Sequence, residues 1–317
     1  MKRTLKEHLV ISLKGIAMGA ADVVPGVSGG TIAFITGIYE ELIDTLKNLG
    51  GSALKPLFKL DIKGFWEAAN LNFLIALLAG IGLSVLSLSR GILYLLEFHS
   101  QLLWAFFFGL IVGSAVIVLK KIKRFHVGLL ISGIFGIAIA YLITSLTPTE
   151  TPTALWFIFL SGAIAICAMI LPGISGSFIL LLMGKYQYIL GSIKEMKVEV
   201  ILTFLFGCVG GLLGFSHVLS WLLKKYHDIT VALLAGFMIG SLNKVWPWKI
   251  TIETYTDSHG NLKPLVQENV LPHIFLNETG KDPQLIFAIL LAAFGLVLVY
   301  AIEHFSNSQI QQPAAKA

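Results

Sequence analysis

Val24-Pro25-Gly26-Val27-Ser28-Gly29-Gly30 and Leu171-Pro172-Gly173-Ile174-Ser175-Gly176-Ser177 are two versions of one motif, each set inside a long apolar stretch. Outward from the motif the match continues at a constant spacing of 147 residues. Gly15, Pro25, Gly26, Ser28, Gly29, Gly37 and Tyr39 fall on Gly162, Pro172, Gly173, Ser175, Gly176, Gly184 and Tyr186. A second block repeats at a spacing of 127, where Gly80, Gly109, Gly113 and Ser114 fall on Gly207, Gly236, Gly240 and Ser241. The change of spacing puts the extra residues of the first half in a polar, Lys-bearing stretch from about Asn48 to Asn70. Two ordered blocks in the same relative positions imply a duplicated chain.

The class follows from composition. Hydrophobic residues make up 56% of the 317 and charged residues 13%, against roughly a quarter charged in soluble domains. Runs such as Leu102 to Leu119 and Leu285 to Ile302 approach the ~20 residues that cross ~30 Å of hydrocarbon. The net charge of +5 does not indicate nucleic acid, because the basic residues lie between apolar runs, where membrane orientation places them. Cys167 and Cys208 both lie within apolar stretches and read as small core residues, without disulfide or metal-binding spacing. The first residues lack the apolar core and small-residue cleavage site of a signal peptide, so no cleaved leader is expected.

Each half then holds four hydrophobic elements. In the first half they cover about 8–46 (interrupted), 71–97, 101–119 and 126–146; in the second, about 154–192 (interrupted), 199–223, 229–243 and 284–304. Residues 243–283 read as an extramembrane loop. Lys2, Arg3 and Lys6 precede the first element, and Lys47, Lys55, Lys59 and Lys63 follow it. Cytoplasmic loops are enriched in Lys and Arg, so both ends of this element are expected inside, making it a re-entrant hairpin. Lys120, Lys121, Lys123 and Arg124 return to the inside. Three full spans remain per half, and an odd number turns the second half upside down. The expected fold is therefore all-α and polytopic: two inverted repeats, 1–146 and 154–304, each a broken-helix hairpin plus three transmembrane helices. Full spanning by both first elements would instead give parallel halves. Lys185, Lys194 and Lys197 weigh against inversion, since they would lie outside.

A Pro-Gly-x-Ser-Gly sequence at membrane depth is costly backbone. Pro25 removes a donor and disfavours helix at Val24, and such backbone survives only where it is buried in protein or lines a polar cavity. The second half of a broken helix begins with free N–H groups. Gly26, Ser28, Gly29, Gly30 and Thr31 in the first motif, and Gly173, Ser175, Gly176 and Ser177 in the second, thus form a candidate anion cradle. Close packing of small residues also suits Gly15 and Gly19, but it does not explain the paired Pro-Gly-x-Ser-Gly. No Lys follows the loop as a nucleotide-binding P-loop requires.

Ionisable residues inside spans are the second signal. Asp22 stands beside the break and either exchanges a proton or caps the following half-helix; its counterpart is Met169. Arg90 has His217 as its counterpart, and the pair reads either as phosphate-neutralising or as snorkelling at the interface. Trp246-Pro247-Trp248-Lys249 reads as an interfacial anchor.

Met18 to Thr31, Pro172 to Ser177 and Trp246 to Lys249 together resemble the bacterial polyprenyl-phosphate transporter family, and the resemblance covers nearly the whole chain. It implies a multi-pass protein of the bacterial cytoplasmic membrane, amino terminus inside. It also implies that the protein moves undecaprenyl phosphate from the outer to the inner leaflet, for recycling of the carrier lipid in cell-wall synthesis. Its partner would be that lipid, without cofactor, metal or nucleic acid. Where the family pattern suggests a second basic residue, this chain has His217. Two rival readings stay open: a small-anion or ion-coupled transporter, and an intramembrane lipid-phosphate enzyme. Against the enzyme, His99, His126, His217 and His227 sit apart, with no nucleophile–base or metal-ligand spacing.

Overall fold

The computed structural model describes residues 3–24, 26–120, 122, 125–256, 260 and 262–310. Pro25, Lys2, Lys121, Lys123 and Arg124, on which parts of the sequence reading fall, lie outside the described residues.

The first broken segment comprises α1 (Leu5–Asp22) and α2 (Gly29–Ile35), followed by the amphipathic α3 (Tyr39–Leu49). Thr4 and Glu7 form a reciprocal capping box at the start of α1, satisfying amides that would otherwise be orphaned. Two short helices, α4 (Leu54–Phe58) and α5 (Ile62–Ala68), occupy the polar stretch, and three long ones follow: α6 (Leu71–Phe98), α7 (Ser100–Lys120) and α8 (Val127–Ser145). The second half repeats the order with α9 (Leu155–Ile170), α10 (Gly176–Leu182), α11 (Tyr186–Lys194), α12 (Val198–Lys225) and α13 (His227–Gly240). Within the stretch read as an extramembrane loop, the chain forms an antiparallel hairpin, β1 (Lys249–Thr256) and β2 (Leu262–Asn269), then α14 (Pro272–Thr279). Alternating Thr, Ile, Val and Tyr along these strands favour extended backbone, a signal obscured by the mixed charge of the segment. Helix α15 (Leu285–Ile310) closes the chain.

Among the described residues, α6, α7, α8, α12 and α15 to His304 are long and apolar enough to cross a membrane, and α9 and α13 are shorter apolar helices. Their outer faces carry exposed apolar side chains such as Leu86 at 83% and Ile286 at 73%, a surface that water would not tolerate but lipid does. The fold is that of a mostly helical, polytopic membrane protein.

Glycine decides how the helices meet. A Cβ on Gly15 would strike the carbonyl oxygen of Leu77, and one on Gly162 would strike that of Phe204. Likewise Gly80 lies on the Ser12 carbonyl and Gly207 on that of Phe159. Each broken segment is thus pressed backbone to backbone against the long helix that follows it, as small residues permit. On α7 and α13 the same device recurs, Gly109 resting on Ala292 of α15 and Gly236 on Gly133 of α8. The last long helix of each half therefore packs on the other half.

Polar contacts gather at two poles. At one, α3 ties together four ends. Arg3 reaches Glu41 at 2.6 Å, Asn70 donates to Glu41 at 2.8 Å, Lys224 pairs with Asp44 at 2.8 Å, and His227 meets Glu40 at 3.1 Å. At the other, Thr149 N–H donates to the Leu182 carbonyl at the end of α10, and the Trp248 indole donates to the Pro283 carbonyl at 2.9 Å.

Candidate functional site

The two glycine motifs touch. The Ser28 hydroxyl faces the carbonyls of Met169 and Leu171 at 3.2 and 3.1 Å, and Gly173 N–H donates to Thr31 Oγ1 at 3.0 Å. Gly26 and Gly173 both adopt positive φ, +94° and +88°, the left-handed region that glycine enters without a Cβ penalty. Each turn is also crowded: a Cβ on Gly173 would lie 2.9 Å from the Phe237 carbonyl oxygen, and one on Gly26 would lie 2.7 Å from Lys244 Cγ. The site is therefore a junction of two turns braced on the end of α13.

The amides expected to be open to a ligand already have partners. Gly29 N–H donates to Asp22 Oδ1 at 2.7 Å, Gly30 N–H to Ser28 Oγ at 3.1 Å, and Thr31 N–H to the Ser28 carbonyl at 3.0 Å. Asp22 stands in the capping geometry of its two readings, for its carboxylate occupies the N–H at the start of α2, where an anion is favoured. In the second motif Met169 has no such group, and Ser175 and Ser177 pair with one another at 2.8 Å. Gly176 sits with its missing Cβ 2.6 Å from the Ala165 carbonyl oxygen. Ser28, Thr31 and Ser175 are all buried.

The two basic candidates lie elsewhere. Arg90 is exposed on α6 and makes no hydrogen bond or ion pair to any described residue. His217 shares a 2.7 Å hydrogen bond between Nδ1 and the Leu213 carbonyl of its own helix, and its ring lies against Gly50 and Gly51 after α3. The structure does not bring either to the glycine junction.

Two cations missed by sequence reasoning do border it. Lys244 follows α13, its stem against Gly26 and its ammonium 4.4 Å from the centre of the Phe178 ring. Lys249, the last residue of the Trp246–Lys249 group, donates to the Lys244 carbonyl and stands 4.3 Å from the Trp104 ring centre. Burial pushes the Lys249 ammonium well below the usual lysine pKa, and the neighbouring Lys244 adds to the shift. The Trp246–Lys249 group is consequently no simple interfacial anchor. Trp248 is buried against Ala105, Phe275 and Ala288, and the Trp246 indole donates to the Val270 carbonyl at 2.8 Å. A cavity of about 310 Å³ opens beside the two lysines, lined also by the end of α8, Phe178 and β2. Only the interleaving of Lys with Trp near a span end could have signalled this, and that pattern is shared with ordinary anchors.

A family model described as undecaprenyl phosphate translocase-like matches residues 18–263, which include both motifs and both lysines. The chain belongs to that family. It is similar to the polyprenyl-phosphate transporter of Vibrio cholerae, 46% identical over 300 residues, covering 95% of this chain and 97% of that protein. The polyprenyl-phosphate transporter of Staphylococcus aureus is 35% identical over 256 residues, covering 74% of this chain and 85% of the relative. No solved structure matches this member of the translocase-like family.

Proposed function

We propose that this protein carries undecaprenyl phosphate across the bacterial cytoplasmic membrane from the outer to the inner leaflet, returning the carrier lipid for reuse in cell-wall synthesis. A polyprenyl tail remains content in the bilayer, while the phosphate head cannot cross ~30 Å of hydrocarbon unaided. The protein need only offer the head a polar path. It acts as a carrier and not as an enzyme.

The observation that carries this reading is the junction of Ser28 and Thr31 with Leu171 and Gly173. Two broken segments meeting inside an apolar bundle are the form that transporter sites take. Several contacts support re-entrant segments in inverted repeats, 1–146 and 154–304. Advancing along α1 from Gly15 to Gly19 advances the partner on α6 from Leu77 to Ile81, so α1 and α6 run the same way; α9 and α12 do likewise. The beginnings of α1 and α6 converge on α3 with the end of α12, through Arg3, Asn70 and Lys224. Helix α12 thus ends where α6 begins, which supports inversion. In this reading the pole at α3 faces the cytoplasm, with the amino terminus, in keeping with the lysines around the first element.

In this scheme the glycine junction is the gate between the leaflets. Gly26, Ser28, Gly29, Gly30, Thr31, Gly173, Ser175, Gly176 and Ser177 line it, and as the halves rock the hydrogen bonds now held by Ser28, Gly29, Gly30, Thr31, Gly173, Ser175 and Ser177 are exchanged for the phosphate. Arg90 and His217, at equivalent places on oppositely directed helices, receive the head at the outer and inner ends. Exposure of undecaprenyl phosphate at the surface of cells depleted of this protein, with redundant carriers removed, tests the function. Outer-leaflet lipid is expected to accumulate; an unchanged level contradicts the proposal.

A further inference from the structure

The cavity beside the gate has the makings of a binding site. Among the half-buried and buried lysines, Lys14 donates to the Thr36 carbonyl at 2.6 Å, Lys185 to the Thr151 carbonyl at 2.5 Å, and Lys249 to that of Lys244. Lys244 alone in this set has no hydrogen-bond acceptor among the described residues, and neither Lys244 nor Lys249 has an ion-pair partner there. An ammonium carries three donors, and leaving them unfilled away from bulk water is unfavourable. Two cations held close together repel, so an anion between them would relieve both costs at once. The one carboxylate on the lining is Glu268, which is exposed and pairs with neither.

The remaining lining suits a phosphate monoester with an apolar tail. Thr144, Ser145 and Asn243 form a polar wall in which the Asn243 amide donates to both hydroxyls, at 3.2 and 3.3 Å, while Leu146, Phe178 and Val266 form an apolar wall. A volume of about 310 Å³ lies at the small end of ligand pockets, enough for a head group and the start of its chain. Lys244 touches both broken segments, its stem on Gly26 of the first and its ammonium over Phe178 of the second. A ligand on the Lys244 ammonium would thereby bear on both segments.

The geometry points to Lys244 and Lys249 as the cations that hold the phosphate monoester head of a membrane lipid once Arg90 has attracted it, in a docking cavity between α8, α10 and the β1–β2 hairpin, before it passes the glycine junction. This rests on the transport reading above. It places the cavity at the pole opposite α3, on the outer face.

Purified wild type, K244Q, K249Q and K244R in liposomes carrying trace undecaprenyl phosphate test the assignment. The rate is read as inner-leaflet lipid becoming accessible to a water-soluble phosphatase added outside. K244Q and K249Q are expected to slow it roughly tenfold, the scale of losing a hydrogen bond to a charged partner, while K244R retains most of it. In detergent, undecaprenyl phosphate should raise the melting temperature of wild type but not of K244Q, and undecaprenol should not raise it for either. A K244Q protein that moves and binds the lipid like wild type overturns the assignment, and equal stabilisation by inorganic phosphate alone overturns its lipid character. Wild type that moves no lipid contradicts the transport function itself. Lys249 also braces the Lys244 carbonyl, so a K249Q protein that fails to fold leaves the decision to K244Q, since the Lys244 ammonium holds no hydrogen bond to any described residue.

Discussion

Asp22 shows at the scale of one residue why an acid belongs deep in an apolar bundle. Its carboxylate accepts from Gly29 N–H at 2.7 Å, and α2, only seven residues long, cannot afford an orphaned first amide inside protein. Asp22→Ala should therefore cost about 1 kcal/mol of stability, in the range typical of lost caps, read as a lower melting temperature of the purified protein. Asp22→Asn keeps an acceptor oxygen and should retain most of both stability and transport. Complete loss of transport in that variant, with stability intact, would instead assign Asp22 a proton. The same residue marks where the repeat is imperfect. Met169 stands in its place, and the carbonyl of Met169 is used by Ser28 from the other half. The asymmetry is legible from comparing the halves in sequence, but the hydrogen bonds that join the two motifs link residues more than a hundred positions apart and are not.

At the scale of elements, the paired breaks turn on two glycines that no other residue replaces cheaply. Gly173 has φ of +88° and its Cβ position faces the Phe237 carbonyl and the Ser241 hydroxyl. Gly173→Ala combines backbone strain of order 1–3 kcal/mol with a clash against backbone that cannot swing aside. It should lower the melting temperature and reduce transport more than Gly191→Ala, which adds a methyl in open space. Equal behaviour of the two variants would show that the turn is not tightly braced. The glycine spacing was legible in the sequence because close backbone approach leaves a residue-level mark: Gly15, Gly80, Gly162 and Gly207 each rest on a carbonyl of the neighbouring helix. The cavity lysines left no such mark. A lysine after a span is ordinarily an interfacial residue, and its burial here depends on Phe178, Trp104 and the β1–β2 hairpin closing around it, contacts with no local periodicity to announce them.

At the scale of the whole molecule, the two halves are interleaved rather than set side by side. The last long helix of each half lies on the other, Gly109 on Ala292 and Gly136 on Leu233, so motion of one half must carry a helix of its partner. The starts of α1 and α6 and the end of α12 share the α3 pole, and the loop at Thr149 and Glu150 lies with the end of α10 at the other. Everything proposed for the gate and the docking cavity depends on those poles facing opposite sides of the membrane, one broken segment entering from each. Membrane-impermeant thiol labelling measures this directly, using Lys6→Cys and Glu150→Cys one at a time, with Cys167 and Cys208 replaced. Both positions are exposed. In intact cells freed of any outer barrier, the cysteine at position 150 should react and that at position 6 should react only after the cytoplasmic face is opened; reaction of both from the same side would make the halves parallel and contradict the inverted gate.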